Sequence, residues 1–416
     1  MESLLAKRFR ETVSKIKDSR MNKEAEDDVG YSTGFLNFDF RNGTIIKIKT
    51  PDGRSGQYYS IGIVDGSMCT IIGRSGCGKT TWAVQSACNI IRPFKTSCVY
   101  IDSIEGGITR NRLKILSGFS DEDLDNKIIE RNTGITAENF YQRIKIIHDL
   151  KINNRSDYEY NTGLPDNDGN PIIKLEPTVY ILDSFALLMP ESYTSEDELS
   201  GQMAATSTAK TNGAILKRII PMLKSANIIL FMINHINQKV EINPFSHSKN
   251  QLQYLKQGET LPGGNASVYL ANNIIRFDDM NKLKSDEGFG IDGSIVEVSL
   301  AKSRTNKAGK STPLVFDQSL GFDPDLSLYV LLKENEKISG AGIGYYLSNY
   351  KDIKFSQKNF KDKLMENADL RNAFINSGLE CLKNILESEY KEIESLKMSD
   401  TTKSIIDKLN SEVILS

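Results

Sequence analysis

Apolar positions fall into two patterns along this chain. Short, nearly continuous apolar runs occur at 67–72 (SMCTII), 98–102 (CVYID), 178–188 (TVYILDSFALL) and 227–233 (NIILFMI). Strands buried on both faces of a parallel sheet read this way, without the polar alternation of a half-exposed strand. Residues 268–277 and 294–300 read as two further strands. Between the runs, 81–91 (TWAVQSACNII) and 214–224 (AILKRIIPMLK) read as a helix and the end of a helix. Strands interleaved with helices predict an α/β fold around a mostly parallel, twisted sheet.

The pattern changes toward both ends. Leu4, Leu5, Phe9, Val13 and Ile16 recur at helical spacing, and the polar stretch 21–30 (MNKEAEDDVG) reads as a linker behind them. A helix tethered in this way packs either on its own domain or on a neighbouring subunit. Residues 355–412 look helical and highly charged, with Phe360, Leu364, Leu370, Phe374, Leu379, Leu382 and Ile385 as apolar positions. The expected organisation is an N-terminal oligomerisation helix and linker over 1–30, a core over 31–334 and a small helical domain over 335–416.

The polar interruptions carry their own signals. YSTGFLNFDF at 31–40 reads as a turn followed by a short capped helix. Two β-rich runs flank Pro51-Asp52-Gly53, predicting a hairpin over 44–64, and 151–176 reads as a surface excursion with a hairpin around Asp168-Gly169. Residues 190–213 are rich in small and hydroxyl side chains and suggest a mobile loop running into a helix. Residues 238–262 show little periodicity, carry Lys239, Lys249 and Lys256, and end in Pro262-Gly263-Gly264-Asn265. Long stretches without regular pattern are functional or disordered.

Between the first apolar run and its helix lies Gly73–Thr80, GRSGCGKT. It fits the phosphate-binding pattern G-x-x-x-x-G-K-[ST] at every fixed position, in the strand-turn-helix setting that the chemistry needs. Backbone N–H groups of Gly73, Arg74, Ser75, Gly76, Cys77 and Gly78 would cradle phosphates at a helix N-terminus, with Thr81 following. The three glycines would let the backbone approach the phosphates without Cβ clashes. Lys79 would reach the β- and γ-phosphates, and Thr80 would offer its hydroxyl to Mg²⁺.

Other strand tips hold the groups that such a site needs. Asp102 and Glu105 follow the second run, and either is a candidate water-activating carboxylate. Asp183 ends the third run, where a metal-holding Asp is expected, and Asn234-His235 closes the fourth. Ala301–Lys307 (AKSRTNK) is a cationic cluster just after a strand.

Composition narrows little. Lys plus Arg (52) nearly balance Asp plus Glu (54), so any nucleic-acid surface must be local. Cys69, Cys77, Cys88, Cys98 and Cys381 show no metal-ligand or disulfide spacing and suit a reducing cytoplasm. The start, MESLLAKRFRE, has no apolar signal-peptide region, and runs such as Ile228 to Ile233 are too short to span a bilayer. A cytoplasmic protein without membrane contact is expected.

Over roughly residues 31–330 the ordered set of motifs resembles the RecA-family strand-exchange recombinases, nearest their phage UvsX-like branch. YSTGFLNFD resembles the family's segment leading into the phosphate loop. IEGGIT (104–109) resembles its catalytic-glutamate turn, ILDSFALL its second metal motif, and INH (233–235) its phosphate-sensing position. PGGNA (262–266) resembles the end of its second DNA loop, and KSRTNK (302–307) the interface segment whose cations reach a neighbour's ATP. The resemblance implies a RecA-like P-loop ATPase core using ATP and Mg²⁺, with Glu105, Lys79 and His235 catalytic and Thr80 and Asp183 at the metal. It implies that Lys302 and Arg304 act across a subunit interface. It places Arg112 where the family carries an aromatic on adenine, and a guanidinium can also stack on a ring. DNA-binding loops are implied over about 191–213, with Met203, and 238–265, with Lys239, Lys249, Lys256, Gly263, Gly264 and Asn265. The implied partners are single- and double-stranded DNA, further copies of the chain in a helical filament, and single-strand-binding and mediator proteins. A ring-forming helicase on the same core is the rival that PGGNA and KSRTNK disfavour, and a mediator without turnover is the one that Glu105 disfavours.

Overall fold

The computed structural model of the protein describes residues 28–394 apart from 50–51, 54, 132–134, 167, 194–201, 239–253, 287 and 305. The expected N-terminal helix, most of its linker, Lys239, Lys249 and residues 395–416 lie outside the described residues.

A central sheet organises the chain. In sequence order its strands are β1 (Met68–Gly73), β2 (Val99–Ser103), β3 (Ile128–Arg131), β4 (Thr178–Asp183) and β5 (Ile228–His235). They continue as β6 (Asn273–Leu283), β7 (Gly293–Ser303), β8 (Lys310–Asp317) and β9 (Gly321–Asp323). Among the described residues the spatial order is β9-β8-β7-β6-β1-β5-β4-β2-β3. From β6 to β3 all neighbours are parallel. From β6 to β9 they are antiparallel.

The inner parallel strands β1, β2, β4 and β5 are buried on both faces, which is why they read as unbroken apolar runs. Along β5, Ile229, Phe231 and Ile233 join one core cluster while Ile228, Leu230 and Met232 join another. The first layer is built on α1 (Lys79–Ile91) and α2 (Arg110–Ser117), the second on α3 (Ala137–Asn153) and α4 (Gln202–Ser225). Trp82 of α1 is fully buried, with Phe35, Phe38, Phe231 and Phe277 packed around its ring. Both expected hairpins form, at 44–60 and 159–175. The second docks on the lead-in segment through the Tyr160 and Tyr31 hydroxyls, 2.8 Å apart.

Several elements differ from the sequence reading. Residues 266–270 are a short helix, and β6 starts only at Asn273. The Thr70 hydroxyl donates to the Ser267 carbonyl, so this helix is fastened onto β1 as it ends. β3 and the antiparallel pair β8 and β9 carry polar residues within them and give no continuous apolar run. Residues 151–153 complete α3 instead of opening the excursion. α4 begins at Gln202, so Met203 lies in its first turn and not in a loop.

The C-terminal region is mixed, not purely helical. A three-stranded antiparallel sheet (Ile338–Ser339, Tyr345–Leu347, Tyr350–Phe355) precedes helix Phe360–Glu366 and α6 (Ala368–Glu394). Its Phe355, Phe360, Phe374 and Leu382 share a core with Val315 of β8 and with Leu328, Tyr329 and Leu332 of helix α5 (Pro324–Glu334). Packing therefore runs straight across residue 335. No helix among the described residues is long and apolar enough to cross a membrane.

Candidate active site

The carboxyl ends of β1, β2, β4 and β5 meet at one edge of the sheet, and the turn from β1 into α1 lies there. Gly76 and Gly78 both have φ of +82°. Gly78 is the left-handed N-cap of α1 and no side chain caps the helix, leaving its first-turn N–H groups to the turn itself. The glycines do not share one task. A Cβ on Gly73 would meet the Phe277 carbonyl at 2.7 Å, and one on Gly78 would meet the Phe322 ring at 2.8 Å. Those two are required by β6 and β9, whereas Gly76 faces open space. Arg74 and Ser75 are exposed, and the buried Cys77 thiol donates to the Arg74 carbonyl.

Lys79 is buried under this turn. Its ammonium donates to the Arg74 carbonyl at 2.8 Å and lies 3.4 Å from His235 Nδ1. Burial pushes the Lys79 pKa down, opposed by nearby Cys77, Asp183 and Glu105. The Thr80 hydroxyl donates to Asp183 Oδ2 at 2.6 Å. Asp183 Oδ1 is buried with no hydrogen-bond partner among the described residues. Burial raises the Asp183 carboxyl above its ordinary range, with the Thr80 bond pulling the other way. A hydroxyl beside a buried carboxylate with an unused oxygen is a hard-oxygen donor set, the kind Mg²⁺ takes. These residues fit the metal expected of them.

Asp102 and Glu105 separate clearly. Asp102 is buried, ion-paired with Arg143 and bonded by the Tyr180 hydroxyl, so it is consumed by structure. Glu105 is half-exposed on a turn that needs Gly106 (φ +125°) and Gly107 (φ +80°). The turn is held from behind, because Gly107 N donates to Ser103 Oγ and Ile108 N to Glu130 Oε1 of β3. Neither supporting residue stood out in the sequence.

His235 links the two halves of the site. Its Nε2 lies 2.9 Å from Glu105 Oε1 and 3.1 Å from Oε2. An ammonium offers only donors, so Nδ1, facing Lys79, must accept, and Nε2–H then donates to Glu105. One ligand atom each from Glu105, Asp183 and His235 falls within 4.8 Å of the others. The neighbouring Asn234 is fully buried, and its Nδ2 donates to the Pro262 carbonyl at 2.8 Å.

The remaining candidates lie elsewhere. The half-buried Arg112 donates from its guanidinium to the Ser319 carbonyl, in the turn leading to β9. Lys302 donates to the carbonyls of Val268 and Tyr269, and Arg304 to that of Tyr269, capping the short helix Ala266–Leu270. Lys302 pairs with Ile274, which is level with Thr70, so both cations sit at the end of β1 remote from Gly73. They do not reach their own chain's phosphate-type turn. Gly263 and Gly264 have φ of +86° and +87°, and a Cβ on either would press on Phe185 or Ala209 at 3.0 Å. Their left-handed backbone and these tight neighbours account for both glycines without a ligand. Asn265 is exposed, and Lys256 pairs with Asp278 at 3.2 Å.

One cluster escaped the sequence reading. Arg276 of β6 is buried, and its five N–H donors are met by Glu259, Asp278 and the Tyr254 carbonyl. The available signal was an Arg inside an otherwise apolar run, NNIIRF. No protein-family model matches the chain, and no curated protein matches it.

Proposed function

We propose that the protein is an ATP-dependent DNA strand-exchange protein of the RecA kind. It would assemble as a helical filament on single-stranded DNA and hydrolyse ATP when DNA is bound. The observation that carries this reading is the convergence of Lys79, Thr80, Asp183, Glu105 and His235 at the carboxyl ends of neighbouring parallel strands, around an uncapped helix start. Ligands of open α/β sheets bind at that edge.

In this reading the N–H groups of the 73–78 turn hold the β- and γ-phosphates, and Lys79 moves from the Arg74 carbonyl to a phosphate oxygen. Thr80 and the unused Asp183 oxygen would hold Mg²⁺, which when bound would supply positive charge beside the phosphates. Glu105 retains free lone pairs while bonded to His235, so it can orient a water and accept its proton. His235 touches both Lys79 and Glu105, so it would register whether a γ-phosphate is present. Because β5 continues directly into 237–238, the same residue is joined to the segment expected to contact DNA.

Lys302 and Arg304 lie too far from their own site to serve it, which favours service to a neighbour's. A head-to-tail contact of that kind grows into a helix unless its rotation closes. The deciding experiment mixes homologous single- and double-stranded DNA with the protein, ATP and Mg²⁺, and follows joint-molecule formation together with phosphate release. Exchange with DNA-stimulated turnover is expected. Turnover without exchange, with closed rings in electron micrographs, would replace this reading with a ring motor.

A further inference from the structure

We infer that Arg276 is a positioning residue that couples the nucleotide site to the DNA-contacting return arm 254–265. This rests on the function proposed above. β5 ends at His235, and two residues later Asn237–Gln238 forms one side of a short antiparallel ribbon whose other side is Glu259–Thr260. The outgoing side is thus covalently joined to His235, which touches Lys79 and Glu105. The returning side is held by Arg276. Its Nη1 and Nη2 grip Glu259 Oε2 and Oε1 at 2.7 and 3.0 Å, and Nη1 also donates to the Tyr254 carbonyl at 3.1 Å. Nε and Nη2 bond the two oxygens of Asp278 at 2.7 and 2.9 Å.

The guanidinium is thereby saturated, and Glu259 Oε2 additionally accepts from Lys256 N. Arg276 and Glu259 are both nearly inaccessible to water, so the pair holds one geometry and tolerates no looser one. Arg276 pairs with Ile72, and the next residue, Phe277, pairs with Gly73 and lies where a Gly73 Cβ would have to be. The clamp is therefore anchored one residue from the start of the phosphate-type turn. Both sides of the ribbon lead to the nucleotide site, one through His235 and the other through Arg276. Displacement of the turn or of His235 must move the return arm as a unit. Besides the clamp, the return arm is tied to the β5 side by the Asn234 bond to Pro262, the short ribbon and the packing of Leu261.

Coupling between two ligands is reciprocal, so one number tests this. The affinity of a fluorescent oligo-dT strand is measured with and without Mg²⁺·ATPγS, and that of ATPγS with and without the strand. In the wild type, each ligand should tighten the other by a common factor, about tenfold or more. In Arg276→Lys the charge stays but the two-pronged grip is lost. The expected result is that each ligand alone binds as in the wild type, while the mutual factor falls close to one. A loss of fold would instead weaken both separate affinities. If Arg276→Lys does not fold, the apolar pair Arg276→Met with Glu259→Met replaces it, since such swaps of buried ion pairs are tolerated. An unchanged mutual factor in the folded variant overturns the coupling role. A wild type that binds no DNA, or whose ligands do not affect each other, overturns the parent reading instead.

Discussion

Thr80 and Asp183 form the shortest polar link between the phosphate-type turn and β4, and the link is asymmetric in cost. Replacing Thr80 by Val removes a donor from a carboxylate that already has one buried oxygen without a partner. Leaving a buried acceptor without its donor costs about 1–3 kcal/mol, and more when the group is charged. Thr80→Val should therefore lower the stability of the nucleotide-free protein by that amount, measured by urea unfolding, and should also abolish Mg²⁺-dependent turnover. Glu105 behaves differently because its carboxylate is half-exposed and its turn is held by Ser103 and Glu130 without its side chain. Glu105→Gln should leave nucleotide affinity and thermal midpoint nearly unchanged while slowing hydrolysis about 10²–10⁴-fold, the usual range for losing a general base. Equal losses of binding and turnover would show that Glu105 organises the site instead.

At the scale of elements, Lys151 shows how a helix end is fixed across the sheet. It is the last turn's cation in α3, and its ammonium reaches the Glu176 and Asn227 carbonyls and the Thr178 hydroxyl. Burial pushes its pKa down to about 7. Between that value and its ordinary one near 10.5 the unfolded chain binds the proton that the native state has released. Stability must then rise with pH across this window, by at most about 1.4 kcal/mol per pH unit, and flatten below pH 7. Urea unfolding at pH 7 and pH 9 should show that rise in the wild type and not in Lys151→Met. The inner parallel strands and the 73–80 turn were legible in the sequence because each is a local pattern: an unbroken apolar run, or fixed residues at fixed spacing. The helix at 266–270 was not, because its apolar residues could equally extend β6, and the contacts that fix it, Thr70 to Ser267 and Lys302 to Val268, come from distant parts of the chain. The polar strands β3, at one sheet edge, and β8, beside the edge strand β9, gave no unbroken apolar run. The Arg276–Glu259–Asp278 cluster and the Asn234–Pro262 bond depend on residues brought together by the fold, which a single chain's spacing does not reveal.

For the whole molecule, packing ties the C-terminal region to the central sheet. Tyr329 of α5 packs its ring edge-on against Phe355 and at a tilt against Phe360, and Phe360 in turn contacts Phe374. Tyr59 of the first hairpin donates to Glu387 of α6. Ending the chain at residue 334 would strip cover from Phe40, Val315, Leu328 and Leu332, an apolar surface of the sort that drives association. The 1–334 fragment should aggregate or unfold without a sharp transition in calorimetry, and a soluble fragment with full ATP turnover would contradict this. Assembly gives the sharper expectation. Lys302 and Arg304 spend their donors on the end of the Ala266–Leu270 helix, directly after the Pro262-Gly263-Gly264 turn and at the pole of β1 opposite Gly73. If they served their own site, the double variant Lys302→Ala/Arg304→Ala would lose ATP affinity even in dilute monomers. If they complete a neighbour's site, monomer affinity stays near wild type while DNA-stimulated hydrolysis and filament growth fail together. Mixing supplies the control: a Lys79→Ala chain, intact in Lys302 and Arg304, should restore turnover to the double variant by lending its cations across the interface. Turnover that depends on the mixing ratio, read as phosphate release, identifies the shared site; additive behaviour of the two inactive chains rules it out.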